Sequence, residues 1–244
     1  MSADGRPKMP TNNLLNHMRQ SDYDLLAPDL KPFHSAANAI LYHHGDDVGM
    51  VYFPCGNTLV SFLISTEEAG SVETIMIGRE GAVGGIVSQG RLPAYSQIMV
   101  QHGGDFMTLP VGALDKAKQA SRSLDNLFAR YADCLLAQIF QSTACNAAHS
   151  IEKRTAKWIL SAVDRTGELE VSLTQERLAS MLGVGRSYIS RVIKRLKQDN
   201  ILKVQRGRIT ILDPERLAGR SCACDREVHQ HFDLILAGVY PNER

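Results

Sequence analysis

No run in this sequence approaches the roughly 20 consecutive apolar residues that a membrane-spanning helix needs, so a helical membrane protein is not expected. The start, Met1 to Pro10, is polar and has no apolar core, which argues against a secretory signal. It reads as a loose tail on a cytoplasmic protein. Cysteine is sparse and scattered, at Cys55, Cys134, Cys145, Cys222 and Cys224. An odd, unclustered set without an export signal excludes a disulfide framework and leaves free thiols. Catalytic signatures are missing too. There is no GxSxG, no Walker A and no HExxH, and Gly84-Gly85 is only a tight turn. An enzyme is therefore not expected.

What is present is a charge asymmetry. The formal net charge is only +1, yet residues 149–212 hold 13 Lys/Arg against 6 Asp/Glu. The flanks on either side are net acidic. A basic block between acidic flanks points to an anionic partner for that block alone.

The N-terminal part is expected to open with a helix over Asn13–Gln20. A second helix is expected from Ser21, where Ser21 and Asp24 have capping-box spacing. Short β-rich runs follow at Ala39–Tyr42, Val51–Phe53, Thr58–Ile64, Val72–Ile77 and Ser96–Leu109, punctuated by glycines. Such a pattern without alternating helices predicts an antiparallel β-roll or jelly roll. From Ser123 to His149 the period becomes helical. Leu124, Leu127, Phe128, Tyr131, Leu135, Gln138, Ile139 and Ser142 form a stripe at 3-to-4 spacing. A helix that long either lies along its own barrel or is shared with a second copy, and the stripe alone does not choose. The expectation adopted here is a homodimer seam through Leu124, Leu127, Phe128, Tyr131, Leu135, Gln138 and Ser142. Another amphipathic helix spans Ser150–Val163, and Asp164–Glu170 is a polar turn. The fold class is α+β, with a roll at 11–122, a dimerisation helix at 123–148, a winged helix-turn-helix at 149–220 and a helical tail at 221–244.

Residues 173–196 carry the chemistry. Thr174 is suited to cap a helix whose inner face is Leu178, Ala179 and Leu182. Gly183 permits a tight corner. A second helix then has Ile189, Val192, Ile193 and Leu196 inside, with Arg186, Ser187, Ser190, Arg191 and Lys194 outside. Arginine and lysine can donate two bonds to guanine in a major groove, and serine suits phosphates or base edges. Downstream, Leu202–Val204 and Arg208–Leu212 flank Arg206-Gly207 as a hairpin wing, with Lys203, Arg206 and Arg208 placed for phosphate. The expected DNA contacts are Thr174, Gln175, Arg186, Ser187, Tyr188, Ser190, Arg191, Lys194, Arg206 and Arg208.

This order of parts resembles the Crp/Fnr family. The resemblance is carried by VYFP at Val51–Pro54, IGREGAVG at Ile77–Gly84, LLAQ at Leu135–Gln138, LTQERLASMLGV at Leu173–Val184 and RGRITILD at Arg206–Asp213. It implies a bacterial transcription regulator that dimerises through the long helix, with a sensory roll and recognition helices in successive major grooves. Arg186, Ser187, Arg191 and Lys194 fall on the family's groove-facing positions, and Thr174 and Gln175 near its phosphate contacts. Ser187 departs from the glutamate of the cAMP- and oxygen-responsive members, which leaves the half-site open.

Within Gly81–Gly90 and Ser96–Val100, Gly85 stands where cyclic-nucleotide members have a glutamate, and Ser96 where they have an arginine. A cyclic phosphate would lack its charge-assisted partner unless Arg91 substituted. The roll is read as not built for cAMP. There is no cysteine before Cys55, so the N-terminally clustered ligands of the iron–sulfur relatives are missing. His43-His44 reads as an exposed strand end, not a haem ligand pair. Cys222 and Cys224, followed by His229 and His231, are metal ligands by type, but one intervening residue is poor for zinc. No metal and no cofactor are expected. The expected partners are duplex DNA and a second copy of the chain, with RNA polymerase a further candidate and the effector open. The alternative is a ligand-binding regulatory module acting on a protein partner.

Overall fold

The computed structural model describes residues 11–67, 70–88, 90 and 92–240. The polar start Met1 to Pro10 and Arg91, the candidate phosphate partner, lie outside them. Two short helices open the chain, α1 (Asn13–Asn16) and α2 (Gln20–Leu26), where the sequence suggested one helix to Gln20 and another from Ser21. Asn12 caps α1 by accepting from the Leu15 N–H at 2.9 Å, and its amide donates to the carbonyls of Pro54 and Gly81. The Ser21–Asp24 capping box does not form, because α2 already begins at Gln20. Between those two residues, the buried Asp22 accepts from Ser121, Ser123 and Tyr240 at 2.5 to 2.7 Å.

Seven strands follow: β1 (Lys31–Ser35), β2 (Ile40–Tyr42), β3 (Met50–Pro54), β4 (Leu59–Thr66), β5 (Gly70–Ile77), β6 (Gln97–His102) and β7 (Gly104–Pro110). They form two antiparallel sheets, ordered β1-β7-β3 and β2-β6-β4-β5. The run read as Ser96–Leu109 is two strands, broken where Gly103 passes so close to the Ala36–Ala37 backbone that a side chain would collide. The roll interior is filled by Tyr42, Val60, Ile75, Ile77, Ile98, Val100 and Phe106.

Helix α3 (Val111–Ala120), unmarked in the sequence reading, leads into α4 (Arg122–Ala148). Ser121 caps α4, accepting from Leu124 N–H. At about 1.5 Å per residue, α4 is about 40 Å long. Ser150 caps α5 (Ile151–Thr166), which ends on Gly167 in the left-handed region. Then come β8 (Glu170–Ser172), α6 (Gln175–Met181), α7 (Arg186–Gln198), β9 (Leu202–Gln205), β10 (Arg208–Ile211), α8 (Pro214–Arg220) and α9 (Cys224–Ala237). The sheet β8-β10-β9 closes the winged helix. No helix among the described residues is long and apolar enough to cross a membrane.

Much of the stripe expected as a dimer seam is already covered within the single chain. Leu124, Leu127, Phe128 and Tyr131 have no exposed surface within the single chain, and pack with Phe53, Leu109 and Leu114 of the roll side and Phe232 of α9. Leu135 joins the same cluster, Gln138 donates to the Met76 carbonyl at 3.0 Å, and Ser142 is half-buried. These residues face the helix's own chain. The roll offers an apolar surface just as a second copy would, so the same stripe fits both. Helix α9 runs along another side, where Arg130 donates to the Ile235 carbonyl at 2.9 Å. The apolar residues of α4 left open are Leu136, Ile139 and Phe140, with Phe140 68% exposed.

Candidate nucleic-acid interface

The interface begins at Thr174, whose hydroxyl accepts from the Arg177 N–H at 3.2 Å and starts α6. Leu178 and Ala179 bury one side of that helix. The corner turns at Gly183, with φ +64, a conformation that a side chain would strain. Helix α7 then buries Ile189, Ile193 and Leu196. Its other face is forced outward by that burial. Arg186, Ser187, Tyr188, Arg191 and Lys194 are all exposed, and α7 contains no acidic residue.

The remaining expected contacts divide. Ser190 is half-buried and donates to the Gln175 side-chain carbonyl at 2.8 Å, so this pair braces α7 against α6. The Arg191 guanidinium lies over the Tyr188 ring at 4.6 Å, which holds both side chains on the outer face. Arg186 sits 4.0 Å from Glu176, with both side chains mostly exposed, a pairing of little energetic weight. In the wing, Arg206 and Gly207 have positive φ and make the tight hairpin turn. Arg206 is exposed at the tip, whereas Arg208 is held by Glu170 at 3.0 Å.

Sequence reasoning missed how this domain rests on the roll. Arg177, counted among its basic residues, turns inward and donates to Asn38. Ser180 donates to the Ser71 carbonyl at 3.1 Å. Trp158 donates to Glu73 at 2.7 Å, and Ser61 donates to the same carboxylate. Burial pushes the Glu73 pKa up to about 7 despite these hydrogen bonds. Arg165 is buried and bridges Glu80 at 2.9 Å and Asp225 at 3.3 Å, linking the IGREGAVG stretch, α5 and α9. Burial raises the Asp225 pKa, but Arg165 and His229 outweigh it and hold the carboxyl below its ordinary value. These partners lie far apart in sequence, and no local pattern marks them.

Tyr131 ties the long helix to the roll. Its hydroxyl donates to the Ala82 carbonyl and accepts from the Ala82 N–H, both at 2.9 Å. The neighbouring Gly81 leaves room for that ring. At the roll mouth, His43 and His44 are exposed, and His44 bonds the Tyr95 carbonyl at 2.6 Å. Gly85 packs beneath Val111 and Leu92, with no acidic group of its own, and Ser96 is half-buried just before β6. The C-terminal residues that are metal ligands by type group differently from their order in the sequence. His229 pairs with Asp164 at 3.3 Å, while Cys222 and Cys224 meet Cys145 and His149.

The Crp-like helix-turn-helix domain family matches residues 153–220. No curated protein matches the chain. Among solved structures, one from Eubacterium rectale, assigned as a transcriptional regulator of the crp/fnr family, is similar at TM-score 0.65 and 20% identity. That match covers 87% of this chain and 97% of the other. FixK2 from Bradyrhizobium japonicum is similar at TM-score 0.65 and 14% identity, covering 80% and 98%. The c-di-GMP responsive regulator CLP of Xanthomonas campestris is similar at TM-score 0.63 and 14% identity, covering 79% and 99%.

Proposed function

We propose that this chain is a DNA-binding transcription regulator that reads a palindromic operator as a homodimer, from the match of residues 153–220 to the Crp-like helix-turn-helix domain family and the likeness of the fold to a crp/fnr-family regulator. The observation that carries this reading is the outer face of α7. Arg186, Ser187, Arg191 and Lys194 project from a helix whose apolar side is spent on its own core, and nothing acidic on α7 opposes a phosphate backbone. Arg206 would follow the adjacent backbone from the wing, with Thr174 and Gln175 near phosphate at the start of α6. The working units are the roll at 11–122, the long helix at 123–148, the winged helix at 149–220 and the tail at 221–244.

One winged helix covers one half-site, so palindrome reading needs a two-fold pair with α7 helices about 34 Å apart. The seam we propose lies on the open face of α4, a reading supported by the exposure of Leu136, Ile139 and Phe140. The roll is not responsive to cAMP in this reading. Gly85 and Ser96 bring neither a carboxylate for the ribose nor a cation for the phosphate. RNA polymerase is the further partner that a regulator of this kind would engage.

Selection of operators from a random duplex library, followed by fluorescence anisotropy, tests the reading. Specific affinity should fall steeply with salt. Arg186→Ala and Arg191→Ala should each weaken it by about 1–3 kcal/mol while the dimer persists. Millimolar cAMP should leave it unchanged. Unaltered operator affinity in both arginine variants would remove α7 as the reading helix.

A further inference from the structure

We propose that Cys145, His149, Cys222 and Cys224 form a four-coordinate site for one zinc-class divalent ion, clamping the end of α4 to the start of α9. The four ligand atoms lie within 4.8 Å of one another. Cys145 is in the last turn of α4, and His149 is the residue that caps it. Cys222 lies between α8 and α9, and Cys224 is the first residue of α9. The sulfurs of Cys145 and Cys222 are 3.7 Å apart, and Cys224 Sγ is 3.5 Å from His149 Nδ1.

Those two separations match two opposite edges of a tetrahedron around zinc. Zinc bonds of about 2.3 Å to sulfur and about 2.0–2.1 Å to nitrogen place ligand pairs about 3.5–3.8 Å apart. They do not suit the alternatives. A disulfide needs its sulfurs at about 2.05 Å, and all five cysteines are free. A two-iron cluster spreads its ligands over two metals, further than 4.8 Å allows. Three thiolates and one neutral imidazole around a divalent ion sum to a net charge of −1. Arg154 and Lys157 of α5 act electrostatically on Cys145 and offset that charge. With all four positions supplied by protein, the site is closed, which is the structural type and not the catalytic one. Binding releases the thiol protons to solvent and leaves no other product.

The sequence hides this site because the Cys222–Cys224 pair looks badly spaced on its own. Its other two ligands come from the far end of the long helix, and His229 and His231, nearer in sequence, are not used. The location matters because α4 ends there and the winged helix begins. A metal at that corner fixes the direction in which α5 leaves α4.

The test uses the full-length protein, reduced and stripped by chelator, titrated with Co²⁺ and then Zn²⁺. The expected result is saturation at one Co²⁺ per chain, with tetrahedral d–d absorption and a thiolate charge-transfer band. Zn²⁺ should then abolish both signals. Zinc should also raise the melting temperature with concentration, as a ligand of the folded state does. Cys222→Ser, at a half-buried position, and His149→Ala should lose the saturable signal while far-UV circular dichroism stays native. Cys134→Ser, a buried thiol outside the cluster, should keep it. Absence of a saturable tetrahedral spectrum would overturn the site, as would an unchanged spectrum in Cys222→Ser. Two or more irons per chain with acid-labile sulfide would replace the single ion with a cluster and equally overturn it.

Discussion

Leu127 and Phe140 are large apolar residues of the same helix, one on the 3-to-4 stripe and one off it; the first has no exposed surface and the second is 68% exposed. The inner face of α4 meets the roll and α9, and its apolar side chains form a core there. The open face keeps Leu136, Ile139 and Phe140 partly exposed. Period identifies an apolar stripe, but what covers the stripe is a property of the rest of the molecule. The contrast also separates two kinds of failure. A charge on the inner face should destroy the fold, while a charge on the open face should leave the fold and remove the partner.

The largest effect is therefore expected at Leu127→Glu. A carboxylate in that fully buried position would sit in an apolar cluster, and the cost is several kcal/mol, a large share of a domain's stability. Circular dichroism and thermal melting should show loss of the cooperative transition. A folded, monomeric Leu127→Glu protein would return the seam to the inner face. Phe140→Glu comes next. Light scattering should show a folded monomer whose operator binding is weak, because only one half-site is read at a time. If Phe140→Glu stays dimeric and binds operator normally, the open face of α4 is not the seam.

Tyr131→Phe sharpens the inner-face half of the comparison. Its ring stays and only the hydroxyl goes, leaving the Ala82 N–H and carbonyl buried without that partner. The expected loss is about 1–3 kcal/mol, read as a lower denaturant midpoint at unchanged slope. No change would mean that packing of the ring, not its hydroxyl, fixes α4 on the roll.

The winged helix was the most legible part, because its signals are local. Thr174, Gly183, the Ile189–Ile193–Leu196 period and the Arg206-Gly207 turn are each read within a few residues. In the roll, β2 to β7 were visible as β-rich runs, with β6 and β7 read as one. β1 was not, since four of its five residues are exposed and Pro32 lies within it, as suits an edge strand. β8 is only three residues long and paired to β10; Glu170, read as the last residue of a polar turn, and the two residues after it become a strand by pairing alone. The outward arginines of α7 followed from the helix period. The inward turn of Arg177 did not, because its partner Asn38 belongs to the roll. The Cys145–His149–Cys222–Cys224 grouping was illegible for the same reason. Ligand spacing motifs assume neighbours in sequence, and here the fold supplies the neighbours.

The smallest expected effect tests the junction beneath α4's inner face, at Glu73. Its carboxylate is held by Ser61 and Trp158, and burial lifts its pKa from an ordinary 4.5 to about 7. The folded state then binds a proton that the unfolded state has already released. Stability from this group is fully present below about 4.5 and declines as pH rises towards 7. Between about pH 6 and pH 8 the decline should be on the order of 1 kcal/mol, seen as a lower melting temperature at the alkaline end. Glu73→Gln keeps a group able to accept from Ser61 and Trp158 but cannot ionise, so its melting temperature should be flatter across that range. Because Glu73 joins the roll to α5, the same substitution should leave Phe140→Glu still monomeric. A wild-type melting temperature as flat from pH 6 to 8 as that of Glu73→Gln would mean that the carboxylate is ionised and paired at this junction instead.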